Sequence, residues 1–191
     1  MKRYKDHKQF RLPYFNYAST GLYFITICTR HRIPYFGKIV NGSMQYSEIG
    51  KIADTCIRSI PAISEFANVD SYVIMPDHVH SIIAVENEQE ERTLQEIQFR
   101  LRKHSLSTIV LGFKRGVTLA SKQIGLQEKI WQPRFFDRII RNEIELSAVR
   151  NYIQNNPLQW ECNHNGILPV NTMDEHLPPS FFQNHLQIGQ S

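Results

Sequence analysis

The chain has 191 residues and 41% hydrophobic side chains, 11% of the total aromatic, enough for one cored domain and too apolar for a disordered, collagen-like or solenoid chain. No run approaches the ~18 uninterrupted apolar residues of a spanning helix, and the lysine-rich start has no apolar stretch of signal-peptide type, so a soluble, cytoplasmic protein with no membrane partner is expected. A net charge of +4 permits a nucleic-acid partner without requiring one, and three cysteines without CxxC spacing exclude a disulfide framework and a cysteine zinc site.

Lys2, Arg3, Lys5, Lys8 and Arg11 make residues 1–13 a basic N-terminal tail. Leu22 to Thr29 is β-branched and aromatic, and reads as a buried strand. Asn41-Gly42 is the turn of a hairpin between Gly37–Val40 and Met44–Tyr46. Ser47 caps a helix whose apolar face is Ile49, Ile52, Ala53, Cys56, Ile57 and Ile60. Val69–Met75 and Val79–Val85 are strands close enough to pair across Pro76-Asp77. Four glutamates make 86–92 an exposed connection. Two helical pieces follow, the second capped by Ser105 or Ser107 and lined by Leu106, Ile109, Val110, Phe113, Val117, Ala120 and Ile124. Ile130–Ile140 is a strand candidate, in which Pro133 implies an edge, a bulge or a late start. Asn142 and Glu145 form a capping-box-like start to a helix through Leu146, Val149 and Ile153, which should stop near Pro157. The segment 161–191 is polar, without sustained period, and reads as a loosely packed tail.

This order of elements is that of an α+β protein with a ferredoxin-like antiparallel sheet, helices on one face, and a further C-terminal helix. Neither GxGxxG nor GxxxxGK[ST] occurs, which removes the common nucleotide-binding loops. Of eight histidines, His78 and His80 alone have ligand spacing within a predicted strand. Side chains alternate across a strand, so the two imidazoles share a face and can chelate one divalent ion while Val79 points to the core. The plainer alternative is a structural or exposed pair. Tyr152 and Asn156 stand four apart, about 40° around a helix, and can face one partner surface. Asn155 is an alternative to Asn156, Gln154 lies on the other side, and Tyr152 has a packing role as its competing explanation. Among the other tyrosines Tyr72, in the strand before the histidines, is the rival.

Tyr23–Thr29, Tyr72–His80, Ile130–Phe135, Ile140–Asn142 and Tyr152–Pro157 occur in the order seen in single-tyrosine transposases, and the chain resembles in particular the REP-associated tyrosine transposases of bacteria, HUH nucleases named for a His-hydrophobic-His motif. The resemblance covers about residues 14–160. It implies that His78 and His80 ligate Mg2+ or Mn2+, that Tyr152 is the nucleophile, and that Asn156 is the third ligand. It also implies single-stranded DNA beside a hairpin as substrate, and work at the bacterial nucleoid. Many relatives have tyrosine where this chain has Phe135-Phe136, so that position cannot supply the nucleophile here. Some use Gln as third ligand.

Such a site would join Tyr152 to a 5′-phosphate and release a 3′-hydroxyl, conserving the phosphodiester without ATP. A free phenol, with a pKa of about 10, needs help to attack, and a divalent ion can orient and polarise the phosphate. Imidazole ligands suit Mn2+ better than Mg2+. With DNA as partner, Lys114, Arg115 and Lys122 on the polar side of one helix, and Arg134, Arg138 and Arg141 beside the motif strand, become candidate phosphate contacts; otherwise they are solvated charges. A monomer or a homodimer is compatible with this set. The rival functions are a non-catalytic single-stranded nucleic-acid binding module of the RNA-recognition type and a metal-dependent hydrolase.

Overall fold

The computed structural model describes residues 19–86 and 105–165. The basic tail, the connection from residue 87, the first of the two expected helical pieces and the chain after residue 165 lie outside them. Four strands, β1 (Gly21–Cys28), β4 (Ala67–Met75), β5 (His78–Val85) and β6 (Phe136–Ile140), form one sheet in the order β4-β5-β1-β6, every pair antiparallel. This is the expected ferredoxin-like arrangement, with helices α1 (Glu48–Arg58), the short α2 (Ile60–Ile63) and α3 (Leu106–Gln123) between the strands. β1 is central because its residues from Tyr23 onward are buried on both sides, a continuous apolar run being what a doubly covered strand requires.

Alternation along β1 divides the interior in two. Tyr23, Ile25 and Ile27 meet Val79, Ile83 and the inward residues of α1 and α3, including Ile57, Val110, Phe113 and Val117. Phe24 points the other way, with Ile82 and Ile140, and packs on Leu146, Val149 and Ile153 of helix α4 (Glu143–Asn165). Each large aliphatic side chain so buried stabilises by roughly 1.5–3 kcal/mol, so these contacts hold α4 flat on the second face.

Local signals act where the sequence places them. Asn41 and Gly42, at φ 52° and 68°, make the two-residue turn between β2 (Gly37–Val40) and β3 (Ser43–Tyr46), the positive φ pair that an Asn-Gly hairpin needs. Ser47 Oγ accepts from the Gly50 N–H at 3.0 Å, and Ser105 Oγ from the Thr108 N–H at 3.3 Å, each satisfying a donor that the helix start leaves open. At α4, Asn142 Oδ1 accepts from the Glu145 N–H at 2.8 Å, while the Glu145 carboxylate accepts from the Arg141 N–H at 2.8 Å.

Of the edge, bulge or late start that Pro133 implied, the late start is found: β6 is regular only from Phe136, while Trp131 makes an isolated bridge to Thr29 and Arg134 sits at φ 66°. Two expectations are corrected. Ile124 lies at the end of α3, 55% exposed, and leaves the apolar face assigned to it. Most consequentially, α4 does not stop at Pro157 but runs through it to Asn165. An internal proline costs about 3 kcal/mol or more. The extra turns have tertiary anchors to offset it. Glu161 accepts from the Asn41 N–H at 2.9 Å and the Gly42 N–H at 2.5 Å. Leu158 packs so near the turn that a β-carbon at Gly42 would come within 3.2 Å of its Cδ1.

Candidate active site

β5 begins at His78, immediately after the two-residue Pro76-Asp77 turn that pairs Met75 with His78. Strand alternation turns Val79 into the α1–α3 core and brings both imidazoles to the α4 face, where they lie buried. His78 Nδ1 is 2.6 Å from Asp77 Oδ1, and His80 Nδ1 is 2.9 Å from Thr26 Oγ1, its partner across β1. A carboxylate only accepts, so His78 Nδ1 carries the proton and its Nε2 offers a lone pair. The two Nε2 atoms are 3.0 Å apart. Two lone pairs at that distance repel unless a proton or a cation lies between them. Burial pushes the His78 pKa down, outweighing the Asp77 carboxylate that pulls it up, so the ring is held neutral, the state that ligates metal.

Helix α4 supplies the other side. Tyr152, Asn156 and Trp160 follow one another at four-residue steps. Tyr152 Oη is 3.3 Å from His80 Nε2, and its ring meets His80 and Phe24 edge-on, at 5.2 and 6.0 Å between centroids. Burial pushes its hydroxyl up to about 12, against the Asn156 hydrogen bond and the Arg32 charge, which both favour phenolate. Asn156 is buried and mid-helix rather than at the frayed end that a stop at Pro157 would have made; Asn155 is half-buried. Trp160 lies against His78, 5.7 Å between rings. Among the described residues no three His, Cys, Asp or Glu side chains gather as a metal cluster. A cation here would rest on two imidazoles and an amide oxygen, a mixed nitrogen and oxygen set that Mn2+ accepts more readily than Mg2+, which is the smaller and harder ion.

Tyr72 is on the opposite face. Its hydroxyl donates to Asp54 Oδ1 at 2.8 Å, and burial with that bond pushes it up to about 12.

The candidate phosphate contacts separate. Arg115 and Lys122 are exposed on α3, across the sheet from the histidines. Arg138 Nε pairs with Glu145 at 3.1 Å, and Arg134 and Arg141 are exposed at the two ends of β6. Lys114 is engaged within the fold: its Nζ donates to the carbonyls of Gln132 and Arg134, at 2.9 and 2.5 Å, and lies 5.8 Å over the Trp131 ring. Burial lowers its pKa from the usual 10.5 to about 8. It braces the 131–134 turn. Lys114→Ala should therefore destabilise the fold by about 1–3 kcal/mol, the cost of two carbonyls losing their donor, read as a lower denaturation midpoint. Between pH 8 and 10.5 the unfolded chain binds more protons at this residue, so its contribution to stability rises with pH in that window; the variant should lose the rise.

Sequence reasoning missed Arg32, Asp77, Thr26 and Trp160. Arg32 Nε is 2.9 Å from Asp77 Oδ2, and its Nη1 is 3.0 Å from Cys28 Sγ. Asp77 adjoins His78 in the chain, a signal that could have found it; the others reach the site only through the β1–β5 register and the continuation of α4.

No family model matches the chain. It is similar to an uncharacterized protein of Haemophilus influenzae, 34% identical over 161 residues, covering 81% of this chain and 89% of that protein. In structure it is similar to a REP-associated tyrosine transposase bound to a REP hairpin, with a TM-score of 0.57 and 19% identity, over 92% of this chain and 96% of that one.

Proposed function

We propose, from the premise that this chain belongs to one family with the Haemophilus influenzae protein and has the fold of a REP-associated tyrosine transposase, that it is a DNA transposase. In this reading it nicks single-stranded DNA beside a hairpin and transfers the strand through a 5′-phosphotyrosine. The supporting observation is the paired Nε2 atoms with a tyrosine hydroxyl 3.3 Å from one of them. A binding module needs no such hydroxyl, and a hydrolase would use it as a proton or hydrogen-bond donor without becoming joined to the DNA.

His78, His80 and Asn156 would hold Mg2+ or Mn2+, which when bound supplies a Lewis acid for a phosphodiester oxygen. The remaining work belongs to the chain. Asp77 and Thr26 fix the imidazoles by their Nδ1 atoms, so that both Nε2 atoms stay directed inward. Packing of Val149 and Ile153 fixes the azimuth of α4 and thereby the Tyr152 hydroxyl. The phenol bonds to phosphorus, gives up its proton, and displaces the 3′-oxygen, which leaves protonated; Asn156 stabilises the phenolate as it forms. A second 3′-hydroxyl reverses the exchange and reseals the strand.

The test is incubation with single-stranded hairpin DNA and Mn2+, read on a denaturing gel. DNA labelled at its 3′ end should become covalently attached to protein, and DNA labelled at its 5′ end should be released. Cleavage with both labels released would indicate a hydrolase. Binding without cleavage would indicate the non-catalytic module.

Arg115, Lys122, Arg134, Arg138 and Arg141 remain the proposed backbone contacts. Each phosphate neutralised contributes a slope of about −0.7 in log affinity against log salt. Replacing Arg134 and Arg141 together by Ala should flatten the slope by about 1.4, whereas Lys114→Ala should leave it unchanged. An unchanged slope for the arginine pair would assign both to solvation.

A further inference from the structure

Arg32 has no role in the mechanism above, yet it stands at the histidine pair. Arg30–Arg32, flanked by Thr29 and Ile33, form a kinked 3-10 segment after β1, in which His31 and Arg32 both take φ 55°. Left-handed backbone costs a non-glycine residue on the order of 1–2 kcal/mol, and two such residues in succession persist only where other bonds impose them. Here the single Thr29 Oγ1 proton is shared between the Ile33 carbonyl at 2.8 Å and the Asp77 carbonyl at 2.9 Å, and the Ile33 N–H donates to the Arg30 carbonyl. The turn aims the side chain back over the end of the sheet. Cys28, which meets the guanidinium, is the β1 residue directly opposite His78. By strand alternation it lies on the Phe24–Thr26 side, the face of Tyr152.

Its partners there are unequal. Asp77 shares its two oxygens between Arg32 Nε and His78 Nδ1, a charge-assisted arrangement that fixes both groups. The Cys28 thiol is a weak acceptor, and burial pushes its pKa up, keeping it neutral. Two of five guanidinium donors are engaged by these side chains, one of them poorly. With 23% of its side chain exposed, the cation is open to an anion. Its charge also acts on Tyr152 and His78.

We propose that Arg32 is a further catalytic residue of the strand-transfer reaction proposed above, on which this inference rests. The Arg32 guanidinium exchanges the Cys28 thiol for a non-bridging oxygen of the scissile phosphate and neutralises the charge that gathers there as Tyr152 bonds to phosphorus. It transfers no atom: the Tyr152 Oη–P bond forms, the P–O3′ bond breaks, and Arg32 only donates hydrogen bonds. Asp77 holds it in place between turnovers.

The test compares the wild-type chain, Arg32→Ala and Arg32→Lys on hairpin DNA with Mn2+, once with a scissile phosphodiester and once with a methylphosphonate at that position. A methylphosphonate lacks the negative charge that Arg32 is there to neutralise. On the phosphodiester, Arg32→Ala should form adduct on the order of 100-fold more slowly, the usual loss for one donor to a developing oxyanion. Arg32→Lys should fall between, keeping charge without the planar fork. On the methylphosphonate, Arg32→Ala and wild type should react within about threefold of each other, the charge-dependent contribution being gone from both. A merely structural Arg32 predicts the same deficit on both substrates, and that result, or an undiminished rate on the phosphodiester, overturns the proposal. Adduct from wild type with neither substrate would remove the parent reading as well; wild-type adduct with no effect of Arg32→Ala removes this one alone.

Discussion

Tyr152→Phe should abolish the covalent protein–DNA adduct while leaving the fold and the affinity for hairpin DNA in place. The substitution deletes one oxygen. The ring keeps its edge-on contacts with Phe24 and His80, and the helix keeps Val149 and Ile153 in the second core, so the stability change should stay near the ~1 kcal/mol typical of one hydrogen bond. Without the hydroxyl no bond to phosphorus can form, and the loss should exceed what a gel detects. Tyr72→Phe is the control. Its hydroxyl is bound to Asp54 on the other face of the sheet, and that variant should form adduct at the wild-type rate. Adduct from Tyr152→Phe would end the assignment.

Removal of either imidazole should have the second large effect. His78→Ala or His80→Ala should weaken Mn2+ binding by more than ~100-fold, because removing even a residue that only orients a ligand costs about 10- to 100-fold, and adduct formation should fall with it. Mn2+ titration followed by electron paramagnetic resonance measures this directly, without DNA. Thr26→Val tests the orienting layer: it leaves both imidazoles present but removes the oxygen at His80 Nδ1, and should cost about 10- to 100-fold in Mn2+ affinity. Unaltered affinity in the alanine variants would leave the pair as a proton-sharing feature of the core, and the proposed chemistry would lose its metal.

The parts of the site that could be read before folding are those whose geometry is set within a few residues. His78 and His80 share a face because a strand repeats every two residues, and Tyr152 and Asn156 share one because a helix nearly repeats every four. The Asn41-Gly42 turn and the Ser47, Ser105 and Asn142 caps are likewise local, each a backbone donor or a positive φ met by the side chain next to it. Each is found where the chain placed it.

The remainder depends on contacts between segments remote in the chain. Pro157 is a stop signal by itself; the helix passes it because Glu161 reaches a hairpin turn some 120 residues earlier, and this in turn sets Trp160 on His78. Lys114 reads as a solvated cation on a polar helix face, and only the packing of α3 beside the 131–134 turn gives its ammonium two carbonyls. Arg32 lies just past the first motif strand, in a turn that no local pattern links to the histidines, and joins the site because β1 pairs with β5 in the register that sets Cys28 opposite His78. Periodicity assigns a face to each side chain, for it is a property of the backbone's own repeat. Which faces then meet is settled by the burial of two cores and by sheet register, energies shared among residues that no short window of the chain contains.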